Sequence, residues 1–218
     1  VKEIKHWIEN LKTNKFVFRD PVFSINRKYT VSLCKEIIRE NLKIEFLIET
    51  HLKDLDDELI ILLKQAGLKL VYIGIESSDS NILKDIKRFT VNNDQQYQII
   101  KKLKENGIIV KSMFMLANPD DTVETIKNTI EYSKLLPNQL VQFSVFTPYP
   151  GTPAYSEFKD KIIVQDFEKY NQYNLVYKHK SLGNDIVIQL KNLGYRNFYF
   201  DIRNFYIIFL SLISFLRK

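Results

Sequence analysis

Five times along this chain a short apolar run gives way to a polar residue and then, in most cases, to a stretch with helical spacing. The runs occupy residues 15–20 (KFVFRD), 43–49 (KIEFLIE), 70–76 (LVYIGIE), 108–116 (IIVKSMFML) and 140–146 (LVQFSVF). Apolar residues recur three and four apart over 26–41, 56–66, 79–86, 94–106 and 122–136. Residues 1–12 show the same spacing ahead of the first run, with Ile4, Trp7, Ile8 and Leu11 on one face. Pro21, Gly67, Gly107 and Pro137 punctuate the boundaries. Strands alternating with helices through short connections predict right-handed βα units and a parallel sheet, hence an α/β fold. The runs lack long polar faces, as expected when helices cover their outer side.

After Gly151 the alternation stops. Residues 155–174 are mixed and aromatic, and 184–218 read as helical, in one or two pieces. The expected organisation is therefore a βα domain over 1–155 and a helical, aromatic-rich extension over 156–218. The apolar run 205–216, FYIIFLSLISFL, is too short to span a bilayer. A packed terminal helix is expected there. A membrane-surface helix flanked by Arg203, Arg217 and Lys218 is the alternative.

In parallel α/β folds, ligands lie at the carboxyl ends of the strands. Those ends here carry Asp20, Glu49, Glu76, Asn118 and Thr147. Each alone is an ordinary helix cap. Five in corresponding positions predict the polar floor of a shared pocket. Because side chains alternate along a strand, an inward Glu76 brings Gly74 and Tyr72 inward and turns Val71, Ile73 and Ile75 to the helices. Gly74 would leave room for a ligand to approach the backbone. In the fifth run the same alternation turns Gln142 and Ser144 inward, and in the second it turns Glu45 and Glu49 inward. Ser77 and Ser78 offer hydroxyls or a helix cap, and Lys87 and Arg88 follow the short helix as cations able to meet a carboxylate or phosphate.

Composition removes several classes. A single cysteine, Cys34, supplies neither a disulfide framework nor a cysteine-rich metal site, and it fits a reducing, cytoplasmic setting. His6, His51 and His179 share no metal-ligand spacing. The net charge of +6 comes from scattered lysines without an arginine cluster, so no nucleic-acid partner is expected. No Gly-x-Gly-x-x-Gly, Walker A or Gly-x-Ser-x-Gly motif occurs, and no secretory leader is visible.

The order of motifs resembles the radical S-adenosylmethionine superfamily. It is most similar to the branch that often carries an N-terminal cobalamin-binding domain and includes anaerobic magnesium-protoporphyrin cyclases and cobalamin-dependent methylases. The matching pieces are FRDPVF (18–23), IETHLKDLDDELIILLKQAG (48–67), VYIGIESSDSNILKDIKRFT (71–90), KENGIIVKSMFMLANPDDT (104–122) and TPYPGTPAY (147–155). The resemblance implies a partial TIM-like barrel of six βα units, of which the five runs are strands two to six. It also implies a 4Fe–4S cluster held by a three-cysteine motif after the first strand. Reductive cleavage of S-adenosylmethionine at that cluster would yield a 5′-deoxyadenosyl radical that abstracts hydrogen from a small-molecule substrate, with an electron donor for the cluster and cobalamin as a candidate further cofactor.

Carried over residue by residue, the resemblance makes Glu76 and Ser77 the fourth-strand Gly-Ile-Glu-Ser pair near S-adenosylmethionine, and Arg88 the base that meets a carboxylate. It makes Asp20 one acid of an acidic pair whose other member is replaced by Pro21. Gly74, Glu49, Asn118, Ser144 and Thr147 complete the expected cofactor-binding set. Ala117 and Asn118 stand where the family has Gly-Leu. The three-cysteine motif is absent, and Cys34 matches none of its positions, so the chain is expected to be part of a longer radical enzyme and inactive alone. Two rivals stand beside this: an iron-free barrel lyase or aldolase using Glu49 and Glu76 as acid and base, and a non-catalytic barrel scaffold.

Overall fold

The structure, a computed structural model, describes residues 1–88, 91–201 and 204. The terminal run at 205–216, the flanking residues 203, 217 and 218, and the end of the 71–90 motif lie outside the described residues.

Strands β1 (Lys15–Val17), β2 (Glu45–Thr50), β3 (Leu68–Glu76), β4 (Ile109–Leu116) and β5 (Leu140–Val145) form one sheet in the order β1-β2-β3-β4-β5. The pairs β1–β2 and β2–β3 are parallel, with Phe16 opposite Phe46 and Glu49 opposite Tyr72. An unreversed strand order is the winding of a (βα) barrel; a doubly wound sheet reverses direction part-way. Helices α1 (Lys2–Leu11), α2 (Arg27–Arg39), α3 (Asp57–Ala66), α4 (Ser80–Asp85), α5 (Asn93–Glu105), α6 (Val123–Leu135), α7 (Pro153–Phe158) and α8 (Asn184–Tyr199) complete the order.

By contacts the chain divides into two units, one of 1–74, 90–112 and 136–140, the other of 75–89, 113–135 and 141–218. In the first, β2 alternates as expected: Phe46, Ile48 and Thr50 are buried while Glu45, Leu47 and Glu49 are half-buried. Val71 and Ile73 are fully buried, as are Leu59, Ile60 and Leu63 of α3, each such side chain contributing about 1.5–3 kcal/mol of burial. Local chemistry sets the helix ends. Asn26 caps α2 by accepting from the Tyr29 N–H at 3.1 Å, and Asp56 caps α3 by accepting from the Leu59 N–H at 2.9 Å. Gly67 ends α3 at φ +109°, where a Cβ would sit 2.1 Å from the Ile44 carbonyl oxygen.

The first strand is shorter than the expected 15–20 run. Its ladder closes with the Phe18 N–H donating to the Leu47 carbonyl at 3.0 Å. The Phe18 ring then packs on Phe23 and Phe46, with centroids 5.1 and 5.3 Å away. Pro21, without an N–H, cannot extend a ladder. Asp20 is left exposed beyond the strand.

In the second unit, Phe114, Phe143 and Phe198 are fully buried, and Phe114 stacks on Phe143 at 5.5 Å. Helix α8 has a specific task at the edge strand β5. The Tyr195 hydroxyl accepts from the Phe143 N–H at 3.1 Å and faces its carbonyl at 3.3 Å. The Tyr199 hydroxyl does the same at Val141, at 3.3 and 3.4 Å. Four residues of helix rise about 6 Å and two residues of strand about 6.6 Å, so an i, i+4 tyrosine pair matches alternate strand residues. Gly194 permits the approach, since a Cβ there would lie 2.8 Å from the Phe143 ring.

Candidate functional site

The site with the most assembled chemistry lies in the second unit, where β3 ends. Its last residue, Glu76, adopts φ +68°, the left-handed region that costs a side-chain-bearing residue roughly 1–2 kcal/mol. The Ser77 N–H donates back to the Ile75 carbonyl at 2.9 Å, so the chain turns sharply out of the strand. Ser77 is buried, and its hydroxyl lies 3.3 Å from Thr129 Oγ1 and accepts from the Asp79 N–H at 3.1 Å. Ser78 binds the same threonine through its N–H and its hydroxyl, at 3.2 and 3.1 Å. The serines therefore anchor this turn to α6. Both hydroxyls reach Thr129, a contact the sequence pattern alone does not reveal.

Asp79 caps α4 by accepting from the Asn81 and Ile82 N–H groups. The helix ends in a Schellman turn. Lys87 adopts φ +55°, its N–H donates to the Lys84 carbonyl, and the Arg88 N–H donates to the Leu83 carbonyl at 2.8 Å. That turn brings Arg88 to Glu76, with Nη2 2.8 Å from Oε1. The pair lines a cleft of about 310 Å³ whose other walls include Met115, Pro119, Phe146 and Phe158. A charged carboxylate–guanidinium pair against thioether and aromatic walls suits a ligand with a zwitterionic end and an apolar body.

Pro119 belongs to the turn between β4 and α6, which Tyr177 and His179 hold in place. Ala117 adopts φ +57°, where a glycine would be unstrained. The Tyr177 hydroxyl donates to the Ala117 carbonyl at 2.8 Å. His179 Nδ1 accepts from the Ser181 and Leu182 N–H groups at 3.1 and 3.2 Å, which leaves the proton on Nε2 to donate to the Asn118 carbonyl at 2.8 Å. Asn118 donates through its own amide groups to Asp121 Oδ2 and the Met115 carbonyl. Its Oδ1 is buried without a hydrogen-bond partner among the described residues. Burial pushes the Asp121 carboxyl above the usual range, against the hydrogen bonds from Thr125 and Asn118 that favour its charge.

Of the expected residues, Glu76 and Arg88 meet in the cleft. Asn118 lies buried beside its wall. Gly74 is buried in β3. Ser144 accepts from Gln142 Nε2 at 3.1 Å, and Thr147 turns its hydroxyl to the Val145 carbonyl at 3.0 Å. Glu49 belongs to the first unit, in register with Tyr72. The rows of apolar residues gave no warning of Met115, Phe146 and Phe158 as cleft walls, because apolar residues there look the same in a core or a pocket.

The sequence model of the Radical SAM superfamily matches residues 1–133. The chain belongs to the radical SAM superfamily. It is 27% identical over 203 residues to an anaerobic magnesium-protoporphyrin IX monomethyl ester cyclase of Rubrivivax gelatinosus, covering 92% of this chain and 36% of that relative. It is 30% identical over 195 residues to a bacteriochlorophyllide d C-8(2)-methyltransferase of Chlorobaculum tepidum, covering 81% of this chain and 42% of the relative. Among solved structures it is similar to the radical S-adenosylmethionine methyltransferase TsrM of Kitasatospora setae, at TM-score 0.67 and 18% identity over 73% of this chain and 32% of that one. That likeness confirms the fold as the partial barrel of the radical SAM superfamily. The chain spans between 33% and 42% of the length of the first curated relatives it matches.

The residues present do not fit an iron–sulfur cluster. The chain has one cysteine, which is fully buried in α2, and burial pushes its thiol up to about 11, away from the thiolate a metal needs. No group of three or more metal-ligating side chains occurs among the described residues. No helix among the described residues is long and apolar enough to cross a membrane.

Proposed function

We propose that this chain is the S-adenosylmethionine-binding and substrate-facing part of a radical enzyme that methylates or otherwise modifies a C–H bond of a small molecule. The observation that carries this reading is the Glu76–Arg88 pair lining an apolar-walled cleft at a strand end. In this reading the Arg88 guanidinium, with five donors, receives the cofactor's carboxylate while still holding Glu76. Glu76 accepts from its ammonium group, and Met115, Phe146 and Phe158 shield its apolar part from water. When bound, S-adenosylmethionine supplies the hydrogen-abstracting chemistry. The cluster that cleaves it needs ligands this chain does not hold, so no step here is assigned to it. Cobalamin and an electron donor belong to the same reading, supported by the cobalamin-bound methyltransferase among the structural neighbours. So do a cytoplasmic setting, a barrel over 1–155 and a helical extension over 156–218. The iron-free lyase is disfavoured because Glu76 is committed to Arg88.

The test is to express the complete reading frame anaerobically, reconstitute it with iron and sulfide, and measure 5′-deoxyadenosine release from S-adenosylmethionine under reducing conditions. Arg88→Met should raise the KM for S-adenosylmethionine by about tenfold or more, the loss of one charge-assisted pair. Unchanged kinetics in Arg88→Met, or turnover that survives iron chelation, would overturn the reading.

A further inference from the structure

Residues 177–181 touch two walls of the Glu76–Arg88 cleft at once. The Tyr177 ring packs edge-on against Phe158 and Phe146, with centroids 5.0 and 5.7 Å away. Its hydroxyl and the His179 ring hold the Ala117 and Asn118 carbonyls, Lys180 pairs with Asp120, and the Ser181 hydroxyl donates to the Asp121 carbonyl at 3.4 Å. Pro119, which lines the cleft, thus sits between clamped neighbours. Asn118 ties the same frame to a second lining residue, since its Nδ2 donates to the Met115 carbonyl at 2.8 Å. All of these residues belong to the second unit.

His179 is buried in this clamp and uses both ring nitrogens. Nδ1 accepts from two N–H groups while Nε2 donates to Asn118, and only the neutral ring with its proton on Nε2 does both. A second proton turns Nδ1 into a donor facing two donors. The charged ring then favours the carboxylate it faces, Asp121, whose Oδ2 holds both amide groups of Asn118. Either response loosens the frame around Pro119. Also around the ring stand Tyr177, with centroids 5.9 Å apart, the exposed Lys178, and the Lys180–Asp120 pair, whose charges offset each other. Histidine is the side chain that ordinarily changes charge between about pH 5 and 8. Asp121 is the competing proton acceptor in the same frame, because burial favours its neutral form.

We infer that His179 is a pH-sensitive positioning residue: the neutral ring latches the turn that carries Pro119 into the cleft wall, and a proton on Nδ1 releases it. The consequence for a ligand is weaker binding of S-adenosylmethionine in mild acid. That consequence rests on the reading of the cleft proposed above, whereas the latch itself does not.

The full 218-residue chain, labelled with carbon-13 at its methionine methyls, is titrated by NMR from about pH 7.5 to about 5.5. The Met115 methyl reports on the cleft wall, and the His179 ring protons report on its charge. The expected result is one midpoint shared by both. His179→Gln and His179→Asn take up no proton at this position, so either should remove the shared step and leave only what Asp121 contributes. Thermal unfolding of each variant establishes that it is folded. Calorimetric titration with S-adenosylmethionine should give a Kd about tenfold weaker at the acid end of the range in the wild-type chain, and less than about twofold weaker in the variants. The inference is overturned if the Met115 methyl does not follow His179, if His179 takes up no proton within the range, if the step persists in a folded variant, or if S-adenosylmethionine binds equally at both ends. Absence of S-adenosylmethionine binding at both ends, with the shared midpoint intact, overturns the reading of the cleft and leaves the latch established.

Discussion

At single residues, the backbone shows where the fold tolerates strain. Glu76 and Ala117 both take left-handed conformations at the points where strands β3 and β4 turn away. Glu76 gains an ion pair there, whereas Ala117 buries only a methyl group. Ala117→Gly should therefore leave stability within about 1 kcal/mol of the original, because relief of about 1–2 kcal/mol of strain offsets the lost methyl burial and the extra unfolded-chain entropy. Equilibrium urea unfolding checks this, and a loss well beyond about 1 kcal/mol would mean that the Ala117 conformation carries little strain. The sequence hinted at the position, since glycine occupies it in the family it resembles. The strain itself appears only in the dihedral angle.

At the level of elements, α8 and β5 form a matched pair. An edge strand presents unpaired N–H and carbonyl groups, a template for unwanted pairing. Tyr195 and Tyr199 fill those groups at Phe143 and Val141 with hydroxyls. Replacing both with phenylalanine removes the partners and keeps the rings. We expect a loss of roughly 1–3 kcal/mol for each backbone group left buried and unpaired, together with concentration-dependent self-association. Unfolding experiments and sedimentation velocity read the two effects; a monomer of wild-type stability would show that water replaces the hydroxyls without cost. The aromatic richness of 195–200 was plain in the sequence. Its helical spacing against a strand two residues out of step was not, because that match exists only once the helix lies on the edge.

For the molecule as a whole, alkaline stability should be governed in part by one buried thiol. Burial raises the Cys34 pKa from 9.0 to about 11, so the folded state retains its proton in a range where the unfolded chain loses it. Stability from this group is present below pH 9 and is lost as the pH rises from 9 through about 11, by about 1 kcal/mol at pH 10. Cys34→Ala should flatten that part of the pH profile in thermal or urea unfolding; an unchanged slope would place the alkaline loss elsewhere. The same burial makes Cys34 a packing residue and removes it from any role at a metal. The sequence by itself determined the α/β alternation, the helix boundaries at Asn26, Asp56 and Gly67, and the strand ends that carry Glu49 and Glu76, because periodicity, capping and glycine preference are local. It also carried the family, through motifs in a fixed order. Only the tertiary structure decided that Arg88 reaches Glu76, that Ser77 bonds to Thr129 of α6, that Asp20 is exposed beyond β1, and that Lys111 rests on the Tyr72 ring. Those outcomes depend on which side chains meet across residues far apart in the chain, and no local preference encodes a meeting.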